Sequence, residues 1–156
     1  MAKKSSPKSA AGAPTLEHVP PHSQEAEQSV LGAMMLDRHV AGECLLLVTP
    51  EDFYVPANRQ VATCLMELYD ENVPLDFITV ADRLKQKGWL EQIGGEAYLA
   101  TLAESVPSAA NGEYYARIVR NKALLRNFVA TAGDLIRDAF AEDRPIDEFL
   151  DHAEQQ

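Results

Sequence analysis

NGEYYARIVRNKALLRNFVATAGDLIRDAFA, residues 111–141, runs without a strong breaker and repeats apolar residues at helical spacing. Asn111 is a natural N-cap and Glu113 stands in the first turn. About 30 helical residues at ~1.5 Å each would span roughly 45 Å, more than a domain of about 100 residues needs. The apolar residues fall on two adjoining stripes, Ile118, Leu125, Val129, Ala132 and Ile136 on one, Leu124, Phe128 and Leu135 on the other. A helix with so broad an apolar face must be covered on more than one side. Gly133 costs about 1 kcal/mol against Ala in a helix, which predicts a bend or a close helix contact near it. Asp143-Arg144-Pro145 then reverses the chain. Ile146, Phe149, Leu150 and Ala153 lie at i, i+3, i+4 and i+7 and start a returning helix. The two arms are expected to form an antiparallel helical hairpin. The second arm reaches Gln156 with its pattern unfinished, as in a piece of a longer protein.

Upstream of the hairpin everything also reads helical. Ser23 caps a helix with Glu25 and Glu27 in its first turn, and Ala26, Val30, Ala33 and Met34 form its stripe. A second helix follows Asp37 with Val40, Cys44, Leu47 and Val48 on one face. Thr49-Pro50-Glu51-Asp52 starts a short new turn, with Phe53 and Tyr54 behind it as core anchors. Val61, Cys64, Leu65, Leu68 and Tyr69 mark a helix over about 57–72. Asp76 caps the next, whose inner face is Val80 and Leu84, and Gly88 ends it in a left-handed conformation. Trp89, Leu90 and Ile93 pack the connection, Gly94-Gly95 turns the chain, and Tyr98, Leu99 and Leu102 carry a fifth helix to about Ser105. The reading is all-α: a tail over 1–21, a compact multi-helix globule over 22–106, and a hairpin over 107–156.

Composition narrows the function. The chain has 156 residues with ordinary globular values, 46% hydrophobic and 24% charged, and its net charge is −10. Three lysines against Glu17 make residues 1–21 locally +2, so residues 22–156 carry −12. Such a body repels a phosphate backbone, and no direct nucleic-acid contact is expected of it. No apolar run reaches the roughly 18 residues a membrane helix needs. Cys44 and Cys64 have no metal spacing and read as small buried hydrophobes, and His18, His22, His39 and His152 are scattered. There is no GxxxxGK[ST] and no GxSxG. Glu25 with Glu27 resembles a carboxylate pair, but acids in a helix's first turn are ordinarily solvated. No catalytic, cofactor or metal site can be assembled, and binding is the better-supported role. A hairpin with apolar residues on two faces points to a partner or a second copy, unless the globule folds back over both.

A resemblance joins these readings. Pro20-Pro21-His22-Ser23, Glu25-Ala26-Glu27-Gln28-Ser29-Val30-Leu31-Gly32, Asp52-Phe53-Tyr54 and Pro74-Leu75-Asp76-Phe77-Ile78-Thr79 follow one another in order. Gly94-Gly95 with Tyr98-Leu99, Pro107-Ser108-Ala109-Ala110-Asn111 and Tyr115-Ala116-Arg117-Ile118-Val119-Arg120 complete the series. Together they resemble the amino-terminal domain of replicative DNA helicases of the DnaB type, over about residues 19–156. The resemblance implies a domain that pairs through its hairpins, builds a collar of three pairs, and docks the carboxy-terminal domain of primase. It implies a whole protein whose separate motor uses ATP and Mg2+ to unwind DNA 5′→3′ in the bacterial cytoplasm, with a helicase loader as a further partner. By aligned position it implies primase contacts at Glu25, Asp76, Tyr98, Val129 and Leu135. Each also has a plain structural role: helix dipole for Glu25, cap for Asp76, core for the other three. Pairing would use Ile118, Leu125, Phe128, Ala132, Ile136, Ile146, Phe149 and Leu150. Gly112 departs from the family pattern, which has an aliphatic residue there. The competing reading is a helical DNA-binding regulator built on residues 76–105, but that stretch ends in Glu91, Glu96 and Glu104 rather than basic residues.

Overall fold

A computed structural model describes residues 18–141 and 144–156. The basic stretch of the expected tail, up to residue 17, and Asp143 of the expected reversal lie outside the described residues. The chain is all-α, with a globule followed by a helical hairpin. Its helices are α1 (Gln24–Leu36), α2 (Arg38–Leu45), α3 (Pro56–Asp70), α4 (Phe77–Gln86), α5 (Leu90–Ile93), α6 (Gly95–Glu104), α7 (Gly112–Ala141) and α8 (Ile146–Glu154). Single 3-10 turns at Pro50–Asp52 and Ala109–Asn111 join α2 to α3 and α6 to α7.

Local chemistry sets most of these boundaries. The Ser23 hydroxyl accepts from the Ala26 amide, Asp37 from the amides of His39 and Val40, and Asp76 from Thr79. Gly88 ends α4 at φ 70°, and Gly94 and Gly95 follow at 106° and 72°, a conformation that glycine alone adopts freely. At the entry to α7 the structure differs from expectation. Asn111 is the last residue of a 3-10 turn rather than a cap, and the capping side chain at this corner is Ser108, whose hydroxyl accepts from the Ala110 amide.

α1 is the central element and packs on α2, α3, α6 and α7. Val30, Leu31 and Met34 meet Phe53, Leu65, Leu68, Leu84, Leu99 and Leu102 in one core cluster. A Cβ on Gly32 would lie 2.3 Å from the Leu102 carbonyl oxygen, so α1 and α6 approach as closely as they do only because that side chain is absent. Gly112 plays the same part where α7 begins, with Val40, Ala33 and Cys44 closing on it. The small residue at this position therefore seats the hairpin's base against α1 and α2. The close helix contact offered as one expectation for Gly133 is not seen: α7 is continuous through it, and among the described residues the neighbour within 4 Å of its Cβ position is Arg137 of the same helix.

Candidate functional site

Three stripes run along α7. Gly112, Ala116, Val119 and Ala123 alternate four and three residues apart and are buried against the globule. At about 100° per residue the large apolar side chains fall on the other side. Leu124, Leu125, Phe128, Val129, Ile136 and Phe140 are all exposed, Phe128 to 72% and Phe140 to 77%. Ala132 and Leu135 are half-buried beside them. α8 adds exposed Ile146 and Leu150, with Phe149 and Ala153 half-buried. At the elbow Arg144 pairs with Asp138 at 3.5 Å, and Ala139, Ile146 and Phe149 line a shallow cleft there. Eight large apolar side chains in one hairpin exceed the scattered single exposures of an ordinary monomer surface. The globule leaves both stripes named in the sequence uncovered over most of their length. Ile118 is the exception: it is half-buried and packs against the globule's core.

The root of the hairpin is polar and heavily bonded. Arg120 pairs with the buried carboxylate of Asp52 at 2.8 Å, and that carboxylate also accepts from the Thr49 amide at 2.9 Å. Arg126 donates to the Pro21 carbonyl at 2.8 Å and to the Asp52 carbonyl. Its guanidinium lies 5.6 Å from the centre of the Tyr54 ring, on which His22 stacks at 4.4 Å.

Beneath this root lies a carboxylate that the sequence reading places in solvent. Glu27 is 1% exposed. Its oxygens accept from the amides of Tyr54 at 2.7 Å and Val55 at 3.2 Å and from the Asn58 side chain at 2.9 Å. Asn58, itself fully buried, accepts from the Tyr98 hydroxyl at 2.6 Å, and that hydroxyl accepts from Gln28 at 3.4 Å. The pair imagined with Glu25 does not exist, because Glu25 points into an open groove between α1 and α6 lined by Ser29, Thr101 and Glu104. No spacing rule reveals Glu27's role, since its partners lie 27 to 31 residues away.

The five positions carried over for primase are spread over three places. Glu25 and half-buried Tyr98 flank the α1–α6 side, with Tyr98's hydroxyl engaged internally. Val129 and Leu135 lie on α7. Asp76 is exposed and caps α4, which packs on α3, α5 and α6. The Thr79 amide and hydroxyl that donate to Asp76 hold its carboxyl below the usual aspartate range. Burial pushes the Cys44 thiol up to about 12 and the Cys64 thiol up to about 11, so both are protonated packing residues. Among the described residues, no cluster of three His, Cys, Asp or Glu side chains could hold a metal, and no helix is long and apolar enough to cross a membrane.

The DnaB-like helicase N terminal domain family matches residues 19–121, which include the whole globule and the root of α7. The chain belongs to that family. It is 41% identical over 140 residues to a replicative DNA helicase DnaB of Geobacillus stearothermophilus, and 36% identical over 139 residues to the replicative DNA helicase DnaC of Bacillus subtilis. These alignments cover 90% and 89% of this chain but 31% of each relative, so the chain spans about a third of the curated relatives it matches. In three dimensions it resembles the crystal structure of the N-terminal domain of DnaB helicase from Mycobacterium tuberculosis, with a TM-score of 0.82, 41% identity, and coverage of 88% of this chain and 96% of that one. It also resembles the N-terminal domain of DnaB helicase from Helicobacter pylori, described with its interactions with primase, at a TM-score of 0.66 and 25% identity over 75% of this chain and 91% of that one. The chain thus carries the DnaB N-terminal domain of a replicative helicase, and its sequence has no P-loop.

Proposed function

We propose that this domain is an assembly and docking module, in which the exposed apolar face of the hairpin pairs with a second copy and presents a surface to the carboxy-terminal domain of primase. The observation that carries the reading is the row Leu125, Phe128, Val129 and Ile136, held away from the globule by the small-residue stripe on α7's other side. Burying several such side chains contributes about 1.5–3 kcal/mol each before the cost of association. The Helicobacter pylori domain, described with its primase interactions, supports the choice of partner. In the whole protein, pairs would assemble into a hexamer that unwinds DNA 5′→3′ in the cytoplasmic bacterial replisome, with a loader as a further partner. ATP and Mg2+ would be bound by a motor region, and no residue of this chain is assigned to them. The −12 charge of residues 22–156 supports a collar that holds protein rather than DNA.

Light scattering across chain concentration, with and without the cognate primase carboxy-terminal domain, tests the reading. Expected are a mass that rises toward a dimer and a further mass increase on adding the primase domain. A mass that stays monomeric at high concentration, with no added mass from the primase domain, overturns it.

A further inference from the structure

Among the described residues, Arg126 is the last residue of α7 with a hydrogen bond or ring contact to the globule. The inward stripe of α7, Gly112, Ala116, Val119 and Ala123, continues at the same spacing to Arg126. Beyond Arg126 the helix runs 15 residues to Ala141, about 22 Å. Arg126 also ties two separate segments of chain to α7, one through Pro21 and one through Asp52 and Tyr54. Its fork donates to the carbonyl of Pro21, which precedes α1, and to that of Asp52, at the end of the 3-10 turn. Its face lies over Tyr54. Two of those partners are themselves held: Asp52 by Arg120, and Tyr54 through its amide by buried Glu27 and through its ring by His22. A planar guanidinium with donors in a fixed fork restrains direction in a way that a flexible ammonium or an apolar contact does not.

We propose that Arg126 is the positioning residue that fixes the direction in which the hairpin leaves the globule, with Pro21 and His22 as a strap that closes over it. Short of Arg126, small residues let α7 lie close to α1 and α2; past it, the direction of the free helix is set by this last anchor. The consequence for docking rests on the reading of the hairpin face given above. If loss of the anchor leaves the productive direction populated one time in ten, the apparent affinity for a partner that touches both globule and hairpin falls about tenfold.

The test reads direction without any partner. Spin labels are attached at Asp82→Cys on α4 and Asp134→Cys on α7, both exposed positions, while Cys44 and Cys64 stay unlabelled because they are buried. A trace of doubly labelled chain in excess unlabelled chain gives intramolecular distances alone. Expected is one narrow distance distribution for the parent chain, a broad or shifted one for Arg126→Met, and an intermediate one for Arg126→Lys, with the melting of the globule little changed. Should Arg126→Met fail to fold, Arg126→Lys and His22→Ala carry the test, each broadening the distribution. A distribution unchanged in the folded variants overturns the proposal. A narrow parent distribution that broadens in Arg126→Met, in a chain that binds no primase domain, upholds the anchor and sinks the docking reading instead.

Discussion

Leu99 and Phe128 are both large apolar residues on amphipathic helices, yet Leu99 is fully buried and Phe128 is 72% exposed. The difference follows from what surrounds each helix. α6, which carries Leu99, packs on α1, α4 and α5. α7 shows the globule a stripe of glycine, alanine and valine and keeps its large side chains on the opposite side. One region therefore uses apolar area to hold itself together and the other keeps it free. If that division is right, equal truncations must report in different measurements. Leu99→Ala is expected to cost about 4 kcal/mol in urea unfolding followed by circular dichroism, through lost transfer energy and a cavity. Phe128→Ala should stay within about 0.5 kcal/mol of the parent in dilute solution. Equal losses in the two would erase the distinction.

The globule's polar interior offers a second comparison. Glu27→Ala removes the acceptor for two amides and for Asn58. Leaving buried donors unpaired is expected to cost about 3 kcal/mol of unfolding free energy. Glu25→Ala, one turn edge away but exposed, should cost almost nothing in the same measurement. On the hairpin, Phe128→Ala should weaken self-association by about 2 kcal/mol, roughly 30-fold, as sedimentation across concentration would show. An unchanged association constant would take the outward stripe out of the pairing face.

How much of this could be read beforehand depends on the range of the interactions. Ser23, Asp37 and Asp76 act on amides two or three residues away; Ser23 and Asp76 are legible as caps from their own neighbourhood, and Asp37 as the residue from which a helix starts. Gly88 was legible for the same reason, because a positive φ is a local demand. The hairpin's outward stripes were visible as periodicity, and the family motifs located the globule. Glu27 was not legible, because a carboxylate in a first turn looks like a dipole partner until a loop 27 residues away folds over it. Nor was the stripe Gly112, Ala116, Val119 and Ala123, since small residues scarcely register in an apolar pattern although they decide which side of α7 meets the globule. Ile118 lies on the same azimuth as Ile136 at about 100° per residue, but at the root of α7 the globule reaches round to that side and half-buries it, which a pattern along one helix does not show. The type of Asn111 suggests a cap, whereas the 3-10 turn that it ends gives the capping role to Ser108.

The smallest expected effect separates two readings of one residue. Asp76 caps α4 in this structure, and the resemblance also assigns it a primase contact. Asp76→Ala removes the cap and should cost about 1 kcal/mol. Asp76→Asn keeps an acceptor for the Thr79 amide and loses only the charge at the helix N-terminus, about 0.3–1 kcal/mol. The pH dependence has a definite sign. The folded carboxyl sits below the ordinary value of 3.8, so its contribution is present above that value and disappears as pH falls through the lower, folded one. The stability gap between the parent and Asp76→Asn should therefore close in acid unfolding series taken below about pH 4. If Asp76 is only a cap, Asp76→Asn binds the primase domain as the parent does. If its charge meets the partner, Asp76→Asn loses affinity at neutral pH by more than the roughly 0.3–1 kcal/mol that it loses in unfolding, and calorimetric titration of the two chains distinguishes these outcomes.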